Sequence, residues 1–542
     1  MKFDTIIRNA RVIDGSGEPA FLAEIGLLNG RIERIESTLS GWSPEELDCS
    51  GMVVTSGFID AHSHADLSLL AKGLEHEKLR MGVTTEVICQ CGYSAFPVSD
   101  RYRSLRSKTF AGFLPGVRLG WNWSTLSEYR RECTSAGLTQ NIVPLVGHGS
   151  VRMAVMGDSP GHPSASEMDD MCRWVRQSMK EGAFGLSSGL IYPPACYADS
   201  AEVETLCRIV AEYGGIYVTH MRGETVNLID SALTEAIEIS SRSGTPLQIS
   251  HLKVIGITDE SKGKIAGVIA RIEAARARGL EVHFDCYPYT EGSTLLSTLV
   301  PRWAQTGGAA GLTSNLQHTA TRAKIRRDIE TDTTSWENWV QSCGFGAIKI
   351  GSLSKRGDDR MVGRDLLSIA LDRGEDPMDV LFDILIEENA GAIMVFTMMT
   401  EADMLTALVH PLGLIGTDAI PCPQGQGRPH PRGYGSFPRV LGRYVREKHA
   451  LTLEEAIRKM TGLSAKKFGL KDRGMVQEGM AADLVVFDPG LIIDGATYEE
   501  PRRVPEGIEK VFVNGRLAVS EGVVLEKRAG TFLSPQSGRL PV

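Results

Sequence analysis

The chain has 542 residues, 42% of them apolar and 23% charged, with a net charge of −9. That is a globular composition, long enough for one large domain and a smaller one, and its acidic balance leaves no footprint for nucleic acid. No apolar run is long enough to span a bilayer, and the opening MKFDTIIRNARVIDG lacks the features of a secretory signal; the expected location is the cytoplasm.

In chain order, the first elements are short strands. DTIIRNARVID alternates, and LLNGRIERI sets Asn29-Gly30 between two apolar runs, a hairpin signal. The C-terminal end repeats this pattern: ADLVVFDP reads as a buried strand, and KVFVNGRLAV carries a second hairpin at Asn514-Gly515. Residues 1–56 and 472–542 are therefore expected to form one small, discontinuous β-sandwich domain.

Between them, over 57–471, short β-branched runs alternate with helix-length stretches. The runs are VVTSGFIDAHSH, TTEVICQCG, NIVPLVGHG, AFGLSSGL, GIYVTHMRG, PLQISHLK, LEVHFDCYPY and LGLIGTDA. Eight strands alternating with helices predict an α/β fold, a (β/α)8 TIM-like barrel. SALTEAIEISSRSG and KIAGVIARIEAARARG are two of its helices. The long interval after the seventh run, about 292–400, reads as an inserted lid segment. LTLEEAIRKMTGLSAKKFGL reads as one helix, with Thr452 as N-cap and Glu455 three residues on.

Barrels of this type do their chemistry at the C-terminal ends of the strands. His62 and His64 end the first run, His220 the fifth, His251 the sixth and Asp418 the eighth. Residues two apart in a strand face one side, so His62 and His64 can converge on one ion, and imidazole and carboxylate suit zinc. The stretch TTEVICQCGYS adds Cys89 and Cys91. The single residue between them rules out a redox C-x-x-C pair, and the chain has no second close pair to complete a four-cysteine site. Its ten cysteines fit reduced thiols or metal ligands better than a disulfide framework.

GFIDAHSHAD, THM, SHLK and GTDA together resemble the amidohydrolase superfamily of metal-dependent barrel hydrolases. CGYSAFP, LVGHGSVRMAVMG, GLIYPPACYA, THMRGE, DCYPYTEGST and HPRGYGSFPRVLGRY are more specific, and resemble the D-aminoacylase (N-acyl-D-amino-acid deacylase) family. The resemblance runs nearly end to end. It implies zinc-dependent hydrolysis of the amide of an N-acyl-D-amino acid, a small-molecule substrate, releasing a carboxylate and a free D-amino acid.

Many relatives in the superfamily bridge two metals with a lysine of strand four; GAFGLSSGL has none. The resemblance assigns that place to the Cys91 thiolate and leaves Cys89 a buried core thiol, two residues earlier on the same strand face. It implies one tight zinc on Cys91, His220 and His251. A second, weaker site would use His62, His64 and Asp418 and share Cys91. A hydroxide nucleophile at near-neutral pH follows from zinc, with Asp418 as general base and then acid. The substrate carboxylate would meet Lys253, Tyr287, Ser293 and Arg432, with Tyr192 in the pocket. YTEGSTLLSTLVP carries no base before Arg302, which points to neutral or hydrophobic D-amino acids. His148 either lines the pocket or makes a structural hydrogen bond. The rival readings are a dihydroorotase- or hydantoinase-like cyclic amidase, a dipeptidase, a deaminase and, outside enzymes, a barrel scaffold without catalysis.

Overall fold

The computed structural model describes residues 2–66, 68–71, 77–111, 113–114, 117–354, 359–423, 425–525 and 528–535. Both Asn-Gly pairs form the expected tight turns. Asn29 and Gly30 have φ of 52° and 78°, and Asn514 and Gly515 of 47° and 74°, the two left-handed residues that a type I′ hairpin needs. The N-terminal strands Thr5–Ile13, Phe21–Leu28, Arg31–Glu36, Glu45–Asp48 and Val53–Ser56 lie in one sheet with the C-terminal strands Leu484–Phe487, Ile508–Val513, Arg516–Ser520 and Val523–Val524. The two ends of the chain meet where Val53–Ser56 pairs antiparallel with Leu484–Phe487. Thr5–Ile13 pairs with Glu45–Asp48 over one half and with Val53–Ser56 over the other. Ile7, Val12, Ile25, Val54, Leu484 and Phe512 form the core of this unit.

The run VVTSGFIDAHSH serves two sheets, not one. Val53–Ser56 stays in the terminal sheet and Phe58–Asp60 enters the barrel. Gly57 sits at the change, where a Cβ would come 2.1 Å from Thr84 Oγ1. The barrel strands are β1 (Phe58–Asp60), β2 (Val83–Ile88), β3 (Asn141–Pro144, resumed at Val146–Gly147), β4 (Gly185–Gly189), β5 (Ile216–His220), β6 (Leu247–Ile249), β7 (Val282–Cys286) and β8 (Gly413–Ile415). All neighbouring pairs in the two ladders are parallel. β8 returns to the first strand through Ala61 N–H to Ile415 O (3.2 Å) and Asp418 N–H to His62 O (2.8 Å), which closes the ring.

Two expected helices form at Ile229–Ser243, ended by Gly244 at φ 76°, and at Lys264–Ala277. The helix expected after Leu451 is two. Thr452 Oγ1 accepts the Glu455 N–H, but the Glu455 side chain turns to Arg458. The helix breaks at Thr461 because Gly462 packs on the Gly15 carbonyl, where a Cβ would lie 2.3 Å from the oxygen.

The insertion after β7 forms a three-stranded antiparallel sheet, with Ile393–Thr397 between Glu291–Leu295 and Ile348–Ser352. The helices Gly308–Gln317, Thr319–Thr331, Leu366–Arg373 and Pro377–Glu387 accompany it. Glu337, also in the insertion, accepts the Thr225 N–H (3.1 Å) and the Glu224 N–H, and so ties the insertion to the loop after β5.

His148 does not end a strand. It begins the helix His148–Met156, is fully buried, and contacts Glu202 Oε1 through Nε2 at 2.7 Å. Arg152, one turn on, pairs with the other Glu202 oxygen and is also fully buried. Of the two roles left open for His148, the structure supports the hydrogen-bonding one. Glu202→Ala strands the Arg152 cation in the core, so a loss of about 3–5 kcal/mol is expected, read as a lower urea midpoint; a loss below about 1 kcal/mol would contradict this account.

Candidate metal centre

Beyond Ile88 the chain leaves β2 in a turn whose φ values are positive at Cys89 (69°), Cys91 (51°) and Gly92 (76°). Neither cysteine is on a strand, so the expected same-face relation does not apply. The Cys89 backbone is anchored by Asp66 Oδ1, which accepts its N–H at 2.5 Å, and by Ser187 Oγ, which donates to its carbonyl at 2.5 Å. Its thiol is buried, and burial, with Asp66 beside it, keeps it protonated. Cys91 reaches its place because β4 has a glycine there: a Cβ on Gly189 would stand 2.0 Å from the Cys91 carbonyl oxygen.

Two imidazoles face the Cys91 sulfur, His62 Nε2 at 3.4 Å and His251 Nε2 at 3.5 Å. Each has a buried carboxylate behind it. His62 Nδ1 is 3.1 Å from Asp285 Oδ1, and His251 Nδ1 is 3.2 Å from Glu224 Oε1. At His62 a carboxylate that accepts from Nδ1 presents the Nε2 lone pair, the usual support of a metal-bound histidine; at His251 the hydrogen-bond partner of Nδ1 is Lys253 Nζ at 2.8 Å, and Glu224 stands at ion-pair distance. Asp418 Oδ1 completes the group, 3.4 Å from His62 Nε2 and 3.1 Å from His64 Nε2.

One donor atom from each of His62, Cys91, His251 and Asp418 lies within 4.8 Å of every other. The donor atoms of His220, Glu224 and His251 are likewise within 4.8 Å of one another. His251 belongs to both groups. This geometric grouping places His62 with Cys91 and His251, and sets Glu224 beside His220. Both ring nitrogens of His220 are buried without a hydrogen-bond partner. Burial holds His220 and His251 far below the usual imidazole pKa, hence neutral. Burial likewise raises the Cys91 thiol, with Asp418 adding to it, so a cation is needed to draw out the thiolate. Neutral imidazoles, a soft sulfur and a carboxylate are the donor chemistry of a zinc site, and the orphaned nitrogens of His220 fit such an ion.

Burial would raise the Asp418 pKa, but Arg432, His251 and His62 outweigh it and hold the carboxyl well below the usual range. Arg432 Nη1 grips Asp418 Oδ2 at 2.6 Å, and its guanidinium stacks 4.7 Å from the Tyr287 ring. Lys253 Nζ lies 2.8 Å from Glu224 Oε2 and 2.8 Å from His251 Nδ1. Tyr192 sets its ring edge against His220 and shares a hydrogen bond with Thr294 Oγ1 (3.1 Å). Lys253, Tyr287, Ser293, Arg432 and Tyr192 all line the cavity over the metal ligands. Its remaining walls include Tyr93, Phe113, Ile255, Trp339, Phe396 and Met398.

Glu224 and Asp285 were not expected. Glu224 stands in THMRGE and Asp285 in DCYPY; a buried acid two to four residues from a motif residue was the available signal.

The chain matches the amidohydrolase family model over residues 45–293 and 374–519. It is similar to the D-aminoacylase of Alcaligenes xylosoxydans xylosoxydans, 34% identical over 98% of both chains. It is also similar to the N-acyl-D-glutamate deacylase of that organism, at 33% identity over 95% of this chain and 93% of the relative. The crystal structure of N-acyl-D-glutamate deacylase from Bordetella bronchiseptica, complexed with zinc and a phosphonate mimic of the tetrahedral intermediate, superposes with a TM-score of 0.82. It is 31% identical and covers 98% of this chain and 100% of that one.

Glu224→Gln should weaken divalent-metal binding by roughly 10- to 100-fold, the usual effect of losing a carboxylate behind a ligating histidine. Competition against a chelator would measure it, and unchanged affinity would remove Glu224 from the metal centre.

Proposed function

The chain belongs to the amidohydrolase family, together with the D-aminoacylases, and from that premise we propose that it is a zinc-dependent deacylase. It hydrolyses the amide of N-acyl-D-amino acids to a carboxylate and a free D-amino acid. The observation that carries this reading is the Cys91 thiol held between His62 Nε2 and His251 Nε2 beside Asp418. In this reading Cys91, His220 and His251 would hold the tight zinc, and His62, His64 and Asp418, sharing Cys91, the weaker one, although the donor atoms of Cys91 group with those of His62, His251 and Asp418, and those of His220 with Glu224 and His251.

Zinc held there supplies Lewis acidity, which makes water a nucleophile near neutral pH and stabilises negative charge on the substrate. The residues do the rest. Arg432 occupies Asp418 Oδ2 and keeps the carboxylate ionised, leaving Oδ1 on the side of the histidines. Oδ1 takes a proton as the water oxygen bonds to the acyl carbon. Asp418 returns that proton to the amide nitrogen as the carbon–nitrogen bond breaks, because an unprotonated amine leaves poorly.

Ligation through His251 Nε2 requires the ring hydrogen on Nδ1, where Glu224 can accept it and Lys253 cannot donate. That tautomer frees the Lys253 ammonium from the ring, available to the substrate α-carboxylate alongside Tyr287, Ser293 and Arg432. Tyr192 closes the wall over His220.

The side chain of the substrate is neutral or hydrophobic. Lys253 and Arg432 are the Lys and Arg side chains among the described cavity residues, and both are assigned to the α-carboxylate, which leaves no second base for an acidic side chain. Arg302 donates to the Arg222 carbonyl and is not among the cavity-lining residues. Ile255, Trp339, Phe396 and Met398 offer an apolar wall instead. The ten unpaired thiols suit a reducing compartment such as the cytoplasm. Among the described residues, no helix is long and apolar enough to cross a membrane.

Assays of N-acetyl-D- and L-amino acids, with zinc supplied and then chelated, test the reading. Zinc-dependent cleavage of N-acetyl-D-leucine over its L-isomer and over N-acetyl-D-glutamate is expected. Cleavage of neither D-substrate would refute the deacylase assignment, and a D-glutamate preference would refute the side-chain reading alone. Cys91→Ala should lose both zinc and activity, measured by metal content and turnover, whereas Cys89→Ala should keep both.

A further inference from the structure

Two apolar walls line the cavity over the metal ligands, and only one is needed for an amino-acid side chain. The first wall belongs to the carboxylate clamp. Ser293 pairs in register with Val395, next to Phe396, and Phe396 stacks on Trp339 at 4.9 Å. The Met398 sulfur is 4.0 Å from the Tyr287 hydroxyl. An amino acid whose carboxylate meets Tyr287 and Ser293 places its side chain among these groups.

The second wall starts at the thiolate ligand. Tyr93 follows Cys91 by two residues and packs against Phe113 at 5.3 Å and Phe110 at 5.9 Å. Phe110 and Phe113 face each other at 6.1 Å, and Leu114 lines the same wall. Phe113 also lines, with Ser293, a small neighbouring cavity. Tyr93 also packs on Tyr192 at 5.6 Å. These two tyrosines line a second cavity of about 660 Å³, against about 70 Å³ for the cavity over the ligands. Leu105, Met153, Leu295 and Leu312 contribute to it.

We propose that the wall formed by Tyr93, Phe110, Phe113 and Leu114 binds the acyl chain, and that the enzyme acts on D-amino acids bearing apolar acyl groups longer than acetyl. The inference rests on the deacylase reading. A trans amide carries its two substituents on opposite sides of the C–N bond. With the amino-acid side chain on the Trp339 and Phe396 wall and the acyl carbon at the metal ligands, the acyl tail falls to the other apolar wall of the cavity, which begins at Tyr93, two residues from Cys91. A two-carbon acyl group ends at the ligands and leaves the aromatic wall uncovered. A chain of six to eight carbons covers it and continues toward the larger cavity behind the two tyrosines. The products are then a fatty carboxylate and the free D-amino acid.

The test measures kcat/KM of the zinc-loaded enzyme for N-acetyl-, N-butyryl-, N-hexanoyl- and N-octanoyl-D-leucine. A rise of at least about tenfold from acetyl to hexanoyl is expected from burial of four more methylenes. Phe113→Ser and Leu114→Ala should each lower the hexanoyl-to-acetyl ratio several-fold, and the ratio is insensitive to a general loss of folded enzyme. A ratio at or below one, with N-acetyl-D-leucine still cleaved, overturns the acyl site and leaves the deacylase reading standing. An unchanged ratio in both variants also overturns it. No cleavage of any of the four removes both.

Discussion

A buried thiol crowded by two imidazoles and a carboxylate is the constraint on which the rest depends. Cys91 lies within 3.5 Å of His62 and His251, in a place where burial and Asp418 both oppose its ionisation. As a thiolate, such a group is tolerable only if a cation compensates it. Much of the local architecture serves to bring it there. The turn beyond β2 uses left-handed backbone at Cys89, Cys91 and Gly92. Gly189 and Gly147 remove side chains that would come within 2.0 Å of the Cys91 carbonyl oxygen and 2.5 Å of that of Gly92. Asp285 and Glu224 orient the two histidines from behind.

The barrel and the insertion divide the work. Cys91, the histidines and Asp418 come from the barrel, while Ser293, Trp339, Phe396 and Met398 come from the segment that covers its mouth. The family match lapses between residues 293 and 374, within that segment. Glu337 joins the two parts, since it accepts backbone hydrogen bonds from Glu224 and Thr225. The residue that orients His251 is thus itself held by the insertion. Burial, then the neighbouring Glu224, raises the Glu337 pKa to about 7, so this tie sits in a strongly desolvated place.

Where local rules suffice, the sequence is a good guide. The two Asn-Gly turns, the Thr452 cap and the order of the eight strands each depend on a few adjacent residues. It misleads where a distant atom intervenes. The helix after Thr452 breaks because the Gly15 carbonyl, more than 400 residues away in the chain, takes the space at Gly462. The run through Gly57 looks like one strand because nothing local marks the change of sheet. Cys89 and Cys91 look like neighbours on a strand face, but the strand stops at Ile88.

The sequence alone determined the barrel, the terminal β unit and the His and Asp residues that could meet a metal, since periodicity and strand-end position are local properties; Cys91 came from the resemblance to the D-aminoacylase family. Only the tertiary structure decided which of them share donors, that Asp285 stands behind His62 and Glu224 behind His251, and that Arg432 and Lys253 already hold acidic partners. Those relations join residues from different strands across the barrel, and a carboxylate has no sequence mark that tells which imidazole it will face. TTEVICQCGYS illustrates both sides: the family resemblance of its letters pointed to Cys91, and the turn after Ile88 with the glycine at 189 is what brings that thiol to the histidines.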